Sequence, residues 1–321
     1  MLRIENNKII FHYDAEELWI EGWGESGLRV RATKNAQMPD ENWVLDPSDR
    51  TDAETEQTDK GAWIRNGKAE LFITNGGKIT VYDKSGNLLM EEYWRNRRDV
   101  TDKKCSAIEV EAREFCPNIG GDYHLTMRWE SLDKNEKLFG MGQYQQPYMD
   151  LKGCTLELAQ RNSQISVPFA VSNLGYGMLW NNPAVGQVTF GKNYTEWTAR
   201  STKQMDYWLT VADGPKQILE NYTAVTGRAP MFPEDRMGLW QCKLRYRTQD
   251  EVLSVARQYQ KEGIHIDQIV IDFFHWTVQG DWKFDTTYWP DPKAMVDELH
   301  SMGIKVIVSV WPSVDRKSEN F

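Results

Sequence analysis

The spacing of apolar residues changes once along this chain, and that change constrains the fold more than any other feature. Up to about Leu209 they come in short alternating or β-branched runs broken by turn residues. Lys8-Ile9-Ile10-Phe11-His12-Tyr13, Gly27-Leu28-Arg29-Val30-Arg31-Ala32 and Glu70-Leu71-Phe72-Ile73-Thr74 are three of them. Asn75-Gly76-Gly77 separates the last from Lys78-Ile79-Thr80-Val81-Tyr82, a hairpin signal. Many short strands spaced by turns predict a β-sandwich. The acid- and threonine-rich residues 46–60 predict a mobile loop.

The period becomes helical at Asp213-Gly214-Pro215, with Ile218, Leu219, Tyr222 and Val225 at helical spacing before Gly227. Two prolines in Arg228-Ala229-Pro230-Met231-Phe232-Pro233 then mark a junction. From about Arg236 strands and helices alternate. Met237 to Cys242 reads as a strand, and Thr248-x-x-Glu251 as a capping box opening a helix that Gly263 stops. Residues 266–274 contain Gln268-Ile269-Val270-Ile271-Asp272-Phe273-Phe274, the nearly continuous apolar run of a strand covered on both faces. Asp291-Pro292 caps a second helix, stopped by Gly303, and Ile304-Lys305-Val306-Ile307-Val308-Ser309-Val310-Trp311 is a further buried strand. This order predicts a parallel sheet. An eightfold barrel takes about 250 residues. Residues 236–321 hold three of its β/α units, so the expectation is a truncated barrel. The expected division is a sandwich over residues 1–212, a linker helix and proline-rich junction over 213–234, and an incomplete barrel over 235–321.

Charge and composition remove several function classes. The formal net charge is −9 and the basic residues form no stripe, which argues against nucleic-acid and anionic-membrane partners. No apolar run suits a signal peptide or a membrane span. Cys105, Cys116, Cys154 and Cys242 lack metal or redox spacing. Free thiols and no leader fit a cytoplasmic protein without metal or cofactor. The sequons at Asn193 and Asn221 then read as chance. There is no HExxH, no GxSxG and no phosphate loop. Fourteen tryptophans among 12% aromatic residues could supply sugar-stacking faces, although aromatic rings serve cores more often.

Several segments, in order, resemble glycoside hydrolase family 31. They are Leu138-Phe139-Gly140-Met141-Gly142-Gln143; Val167-Pro168-Phe169 with Ser172; Gly175-Tyr176-Gly177-Met178-Leu179-Trp180-Asn181-Asn182; and Gly214-Pro215 through Thr226-Gly227-Arg228. Leu239-Trp240-Gln241-Cys242 with Arg245-Tyr246 and Thr248-Gln249-Asp250-Glu251 looks like the α-xylosidase branch. Ile271-Asp272-Phe273-Phe274-His275-Trp276, Trp289-Pro290-Asp291-Pro292 and Val308-Ser309-Val310-Trp311-Pro312 continue the likeness.

The resemblance implies a galactose-mutarotase-like β-sandwich before the first three β/α units of a (β/α)8 barrel. It also implies a retaining α-glycosidase, foremost an α-xylosidase cutting at the non-reducing end of oligosaccharides. Such enzymes need two carboxylates about 5–5.5 Å apart, one nucleophile and one acid/base. The family places the nucleophile at the end of the fourth barrel strand and the acid/base later, so no catalytic residue is assigned in this chain. An oligosaccharide or other α-glycoside is the implied partner, and a homo-oligomeric full-length enzyme stays open.

Substrate-binding candidates cluster at the strand ends. Asp272 would accept hydrogen bonds from two sugar hydroxyls, or else cap its loop or pair with a nearby arginine. Phe274 stands where α-glucosidases of the family carry an aspartate, and its ring suits a sugar lacking the hydroxymethyl arm; a core aromatic is the plain alternative. Trp276 and His275 adjoin the same mouth. Trp311 ends the third strand, for stacking or packing, and Arg245 would meet hydroxyls or pair with Asp272. In the sandwich loop 143–161, Asp150, Glu157 and Gln160 are candidates without a choice among them. Three other readings stay open: an α-glucosidase of the same family, a non-catalytic carbohydrate-binding fragment, and a mutarotase-like sandwich, which leaves the parallel segment unexplained.

Overall fold

The computed structural model describes residues 1–97, 100 and 103–321. The chain divides into two compact units, Met1–Arg228 and Ala229–Phe321.

Three antiparallel sheets make the first unit. The largest runs Leu2–Glu5, Lys8–Tyr13, Glu16–Trp23, Gly27–Thr33, Met205–Val211, Tyr176–Trp180, Ile165–Ser172, Leu138–Gln143, with Arg50–Thr51 paired to Glu16–Trp23. A second sheet runs Leu88–Glu91, Ile79–Asp83, Ala69–Thr74, Gly61–Asn66, Glu54–Gln57, and a third Arg113–Pro117, Tyr123–Glu130, Tyr194–Thr202, Gly186–Phe190, Thr155–Leu158. Their inward residues share one core, which includes Ile20, Val30, Leu71, Ile73, Val81, Leu125, Trp197 and Leu209. The Asn75-Gly76-Gly77 hairpin forms as expected, with Ile73 opposite Ile79 and buried residues alternating along Ala69–Thr74.

Two segments depart from the sequence reading. Residues 46–60 are not one mobile loop: they hold a 3₁₀ turn at Pro47–Asp49, the pair-forming Arg50–Thr51, and the edge strand Glu54–Gln57 against Gly61–Asn66. An edge strand facing water needs only backbone pairing, so its side chains carry no apolar signal. Alternation in Gly27–Thr33 suggests one wet face, yet every residue there is buried. Arg29 donates to Asp206 through Nε (3.0 Å) and Nη2 (2.6 Å), and Arg31 meets Glu21 at 2.8 Å. Arg29 also lies 4.8 Å over the Trp23 ring. Charges enter this sheet because each is paired as it is desolvated.

Helix α1 (Pro215–Thr226) starts at Gly214 with Pro215 in its first turn. It buries Ile218 and Val225, and Tyr222 stacks on Phe169 with centroids 4.1 Å apart. Asn221, half of a sequon, is buried and donates to Thr210 Oγ1 at 2.8 Å.

The second unit is a parallel sheet of Trp240–Lys243, Gln268–Ile271 and Lys305–Val308, in that order. Helices α2 (Gln249–Lys261) and α3 (Pro292–Ser301) cover it, with Val252, Ala256, Met295 and Leu299 packed on Ile269 and Ile271. Thr248 Oγ1 accepts the Glu251 N–H at 3.2 Å, half of the expected capping box. Glu251 reaches back to the N–H of Arg247 (2.8 Å) rather than that of Thr248. Asp291 caps α3 through the Ala294 N–H at 2.9 Å. Both helices end before glycines with left-handed backbones, Gly263 (φ 69°) and Gly303 (φ 78°). The hydrogen-bonded strands stop at Ile271 and Val308, short of the apolar runs read in the sequence. Residues beyond those points leave the sheet and form the site.

Candidate functional site

Strand register decides what meets at the carboxyl end of this sheet. Ile271 lies opposite Val308, so the next residues, Asp272 and Ser309, emerge side by side. Ser309 Oγ donates to Asp272 Oδ1 at 3.1 Å, and the Phe273 N–H donates to the same oxygen at 2.8 Å. Oδ2 has no partner among the described residues, and Asp272 is half-buried. One lobe of the carboxylate is therefore fixed while the other is free to accept. Asp272 does not pair with Arg245. The Arg245 guanidinium lies instead 5.3 Å over the Phe274 ring.

Phe274 is 47% exposed and has a left-handed backbone, φ 64°. That conformation is rare for a bulky residue and costs of order 1–3 kcal/mol. It is a loop residue with an open ring, not a core aromatic. Phe273 packs between Phe274 (centroids 4.5 Å apart) and Trp311 (5.4 Å). Trp311 is 41% exposed, and Trp282 Nε1 donates to its carbonyl oxygen at 2.9 Å. Trp276 lies beneath this surface, buried, 6.0 Å from Phe274 and 6.2 Å from Trp311. Its indole N–H has no partner among the described residues.

His275 is buried against Trp276 and Phe284, with Nδ1 3.2 Å from the Asp272 carbonyl oxygen. Burial pushes its pKa below the usual histidine value, and the hydrogen bond to Asp272 only partly opposes this. A neutral ring follows at neutral pH. The chemistry at hand is thus a half-free carboxylate beside an open aromatic wall, suited to an uncharged, hydroxyl-rich ring. Among the described residues no group of three or more His, Cys, Asp and Glu could hold a metal ion, and no helix is long and apolar enough to cross a membrane.

The sandwich candidates hold their own turns. Asp150 Oδ1 accepts the N–H groups of Leu138 and Lys152, both at 3.1 Å. Glu157 pairs with Arg161, and both amide atoms of Gln160 bond to the backbone of Ser166. Sequence reasoning missed Ser309, Phe273 and Trp282. Register could have found Ser309, since it follows its strand as Asp272 follows its neighbour. Nothing local marks Trp282, whose partner is a backbone carbonyl in another loop.

Residues 17–188 match the glycosyl hydrolase 31 N-terminal galactose mutarotase-like domain, and residues 229–321 match the glycosyl hydrolases family 31 TIM-barrel domain. The chain belongs to glycosyl hydrolase family 31. A family 31 α-xylosidase from a soil metagenome, solved in complex with xylose, superposes with a TM-score of 0.92 at 50% identity, covering 100% of this chain and 48% of that one. An uncharacterized family 31 glucosidase, ORF2, of Pseudescherichia vulneris is 49% identical over 98% of this chain and 61% of its own length. An α-xylosidase of Saccharolobus solfataricus is 33% identical over 77% of this chain and 33% of its own length. The chain therefore spans between a third and three fifths of these family 31 relatives. A mutarotase-like sandwich followed by the start of the family's barrel is the architecture found, and Asp272, Phe274, Trp276, Trp311 and Arg245 all lie in the barrel match.

Proposed function

We propose that these 321 residues are the sandwich and the first part of the barrel of a retaining α-glycosidase that prefers α-xylosides. The observation that carries the preference is the exposed Phe274 ring beside the half-free Asp272 carboxylate. Asp272 would accept from hydroxyls that xylose and glucose share. Phe274 would cover the edge of xylose and crowd the hydroxymethyl arm of glucose. Trp311 would present a second ring to the sugar, with Trp276 packed beneath as support and the Arg245 guanidinium over the Phe274 ring. The relative solved with xylose supports this reading. The resemblance places the nucleophile on a fourth barrel strand, whereas the barrel part here has three. On this reading the 321 residues by themselves would bind sugar without cutting it.

The test is kcat/KM for an aryl α-xyloside and an aryl α-glucoside, in a chain carrying the complete barrel. An apolar site rejects an added group by about 1–3 kcal/mol, so the xyloside should lead by roughly 10–200-fold. Phe274→Asp should shrink that ratio, and Asp272→Ala should depress both activities together. A wild type that favours the glucoside ends the xylosidase reading. Turnover by the 321-residue chain would end its non-catalytic role.

A further inference from the structure

The loops after the second and third barrel strands are laced to each other, and a buried carboxylate stands at the crossing. Asp281 is 8% exposed. Its Oδ2 accepts from Thr277 Oγ1 at 2.5 Å and from the Val278 N–H at 3.2 Å, which closes its own loop. Its Oδ1 accepts the N–H of Glu319 at 3.2 Å, in the loop after the third strand. Three contacts beside it run between the same two loops. The Asp315 N–H donates to the Gln279 carbonyl (3.0 Å), Asn320 Nδ2 to that of Gly280 (2.8 Å), and Trp282 Nε1 to that of Trp311 (2.9 Å). Gly280 has φ 98°, and a Cβ there would lie 2.8 Å from the Cα of Val314. The loops therefore meet backbone to backbone, which any side chain at 280 would prevent.

A carboxylate suits the crossing because it only accepts, and donors from two loops converge on it. Asn would turn an NH2 group toward one set of donors. The outer ion pair Lys283–Glu319, also bridging the loops at 2.6 Å, is half-exposed on both sides and is worth little. Hydrogen bonds from Thr277 and Ser318 hold the Asp281 carboxyl below the usual aspartate range, so it is ionised across the neutral range. Phe274 lies on the limb entering the first loop and Trp311 on the limb entering the second.

We propose that Asp281 is a positioning residue that binds these two loops into one body and so fixes where Phe274 and Trp311 stand relative to each other. The loop clasp stands on geometry alone; its effect on sugar rests on the function proposed above.

The experiment compares wild type, Asp281→Ala, Asp281→Asn and the control Lys283→Ala in the 321-residue chain, by amide hydrogen exchange and by titration with xylose. In Asp281→Ala, residues 277–282 and 315–320 should lose protection together while α2, α3 and the three strands keep theirs. Xylose affinity should fall about tenfold in that variant and about threefold in Asp281→Asn, a partial rescue that mere unfolding would not give. Lys283→Ala should match wild type in both. In a chain with the complete barrel, Asp281→Ala should raise KM for the aryl α-xyloside about tenfold and lower kcat less than threefold. Loss of protection confined to 277–282, or coupled loss with unchanged xylose affinity, overturns the proposal. If wild type shows no response to xylose while both loops open together, the clasp stands and the sugar reading is what fails.

Discussion

The sandwich and the barrel segment place some of the same residue types in contrasting surroundings. Trp23, Trp180, Trp197 and Trp208 are fully buried in the first unit, whereas Trp240, Trp282 and Trp311 are each about half-exposed in the second. Two ion pairs show the same contrast. Arg29 and Asp206 are paired out of contact with water, while the bidentate Arg257–Glu298 pair sits on a wet helix surface. Tryptophan count and salt-bridge count are therefore uninformative until the region is known. Even within the second unit Trp276 and Trp289 are buried, so a ring counts as core or wall only once its own exposure is known.

The charge half of this comparison predicts the largest effects. Burial pushes the Asp206 carboxyl up, against the pull of Arg29, and Asn181 adds a hydrogen bond at 2.8 Å. Asp206→Ala would strand the Arg29 guanidinium in the sheet and should cost about 3–5 kcal/mol. Glu298→Ala should leave stability unchanged within error. Urea unfolding, followed by exchange in Gly27–Thr33 and in α3, reads each variant in its own unit. Equal losses would break the comparison.

Rings come next. Trp208→Ala opens a cavity behind a buried indole whose Nε1 donates to the Trp23 carbonyl at 3.0 Å. It should cost about 3–5 kcal/mol. Phe274→Gly should instead raise the stability of the second unit by about 1 kcal/mol, by relieving the left-handed backbone. It should also weaken xylose binding in the same titration. A destabilised Phe274→Gly would make that ring part of the core after all.

The smallest effect concerns acid. The Arg247 N–H, and after it Lys243, hold the Glu251 carboxyl below the usual glutamate value. Its contribution is therefore present above that value and is lost as pH falls through the lower, folded one. Glu251→Gln should flatten the acid limb of the urea midpoint for α2 and leave Gly27–Thr33 unaffected. An unchanged acid limb would show that the carboxylate adds nothing at the helix start.

What the sequence made legible were signals that act over a few residues. Asn75-Gly76-Gly77 needs only its own backbone, and Thr248 and Asp291 cap the residues three places on. The apolar runs at 268–271 and 305–308 announce strands, but only the first is mostly buried: Lys305 is exposed and Val306, Ile307 and Val308 are half-buried, so the second expected buried strand is only partly covered. Signals that depend on distant partners stayed dark. Arg29 reads as a solvated residue until Asp206 arrives beside it. The strand at Glu54–Gln57 has no apolar pattern because its pairing is all backbone. At the site, the end of an apolar run together with the family resemblance singled out Asp272, and the resemblance alone singled out Phe274. The free lobe of the carboxylate, the left-handed turn at Phe274 and the indole bond from Trp282 to Trp311 are set by tertiary geometry and leave no local trace.

The ion pair at the centre of the large sheet also bears on how the chain comes to be folded. Arg29 and Asp206 are 177 residues apart, and the strands carrying them are neighbours. During synthesis the strand Gly27–Thr33 emerges early and keeps one side unsatisfied until Met205–Val211 follows. At usual elongation rates of about 5–20 residues per second, that interval is on the order of 10–35 s. For that time the nascent protein presents an open strand edge on which Arg29 still lacks its partner, whereas Arg31 already has Glu21 on the preceding strand, and such an edge is where holding chaperones act and neighbouring nascent chains stick. Arg29 keeps that edge wet while it waits, because an unpaired guanidinium resists burial in a wrong partner.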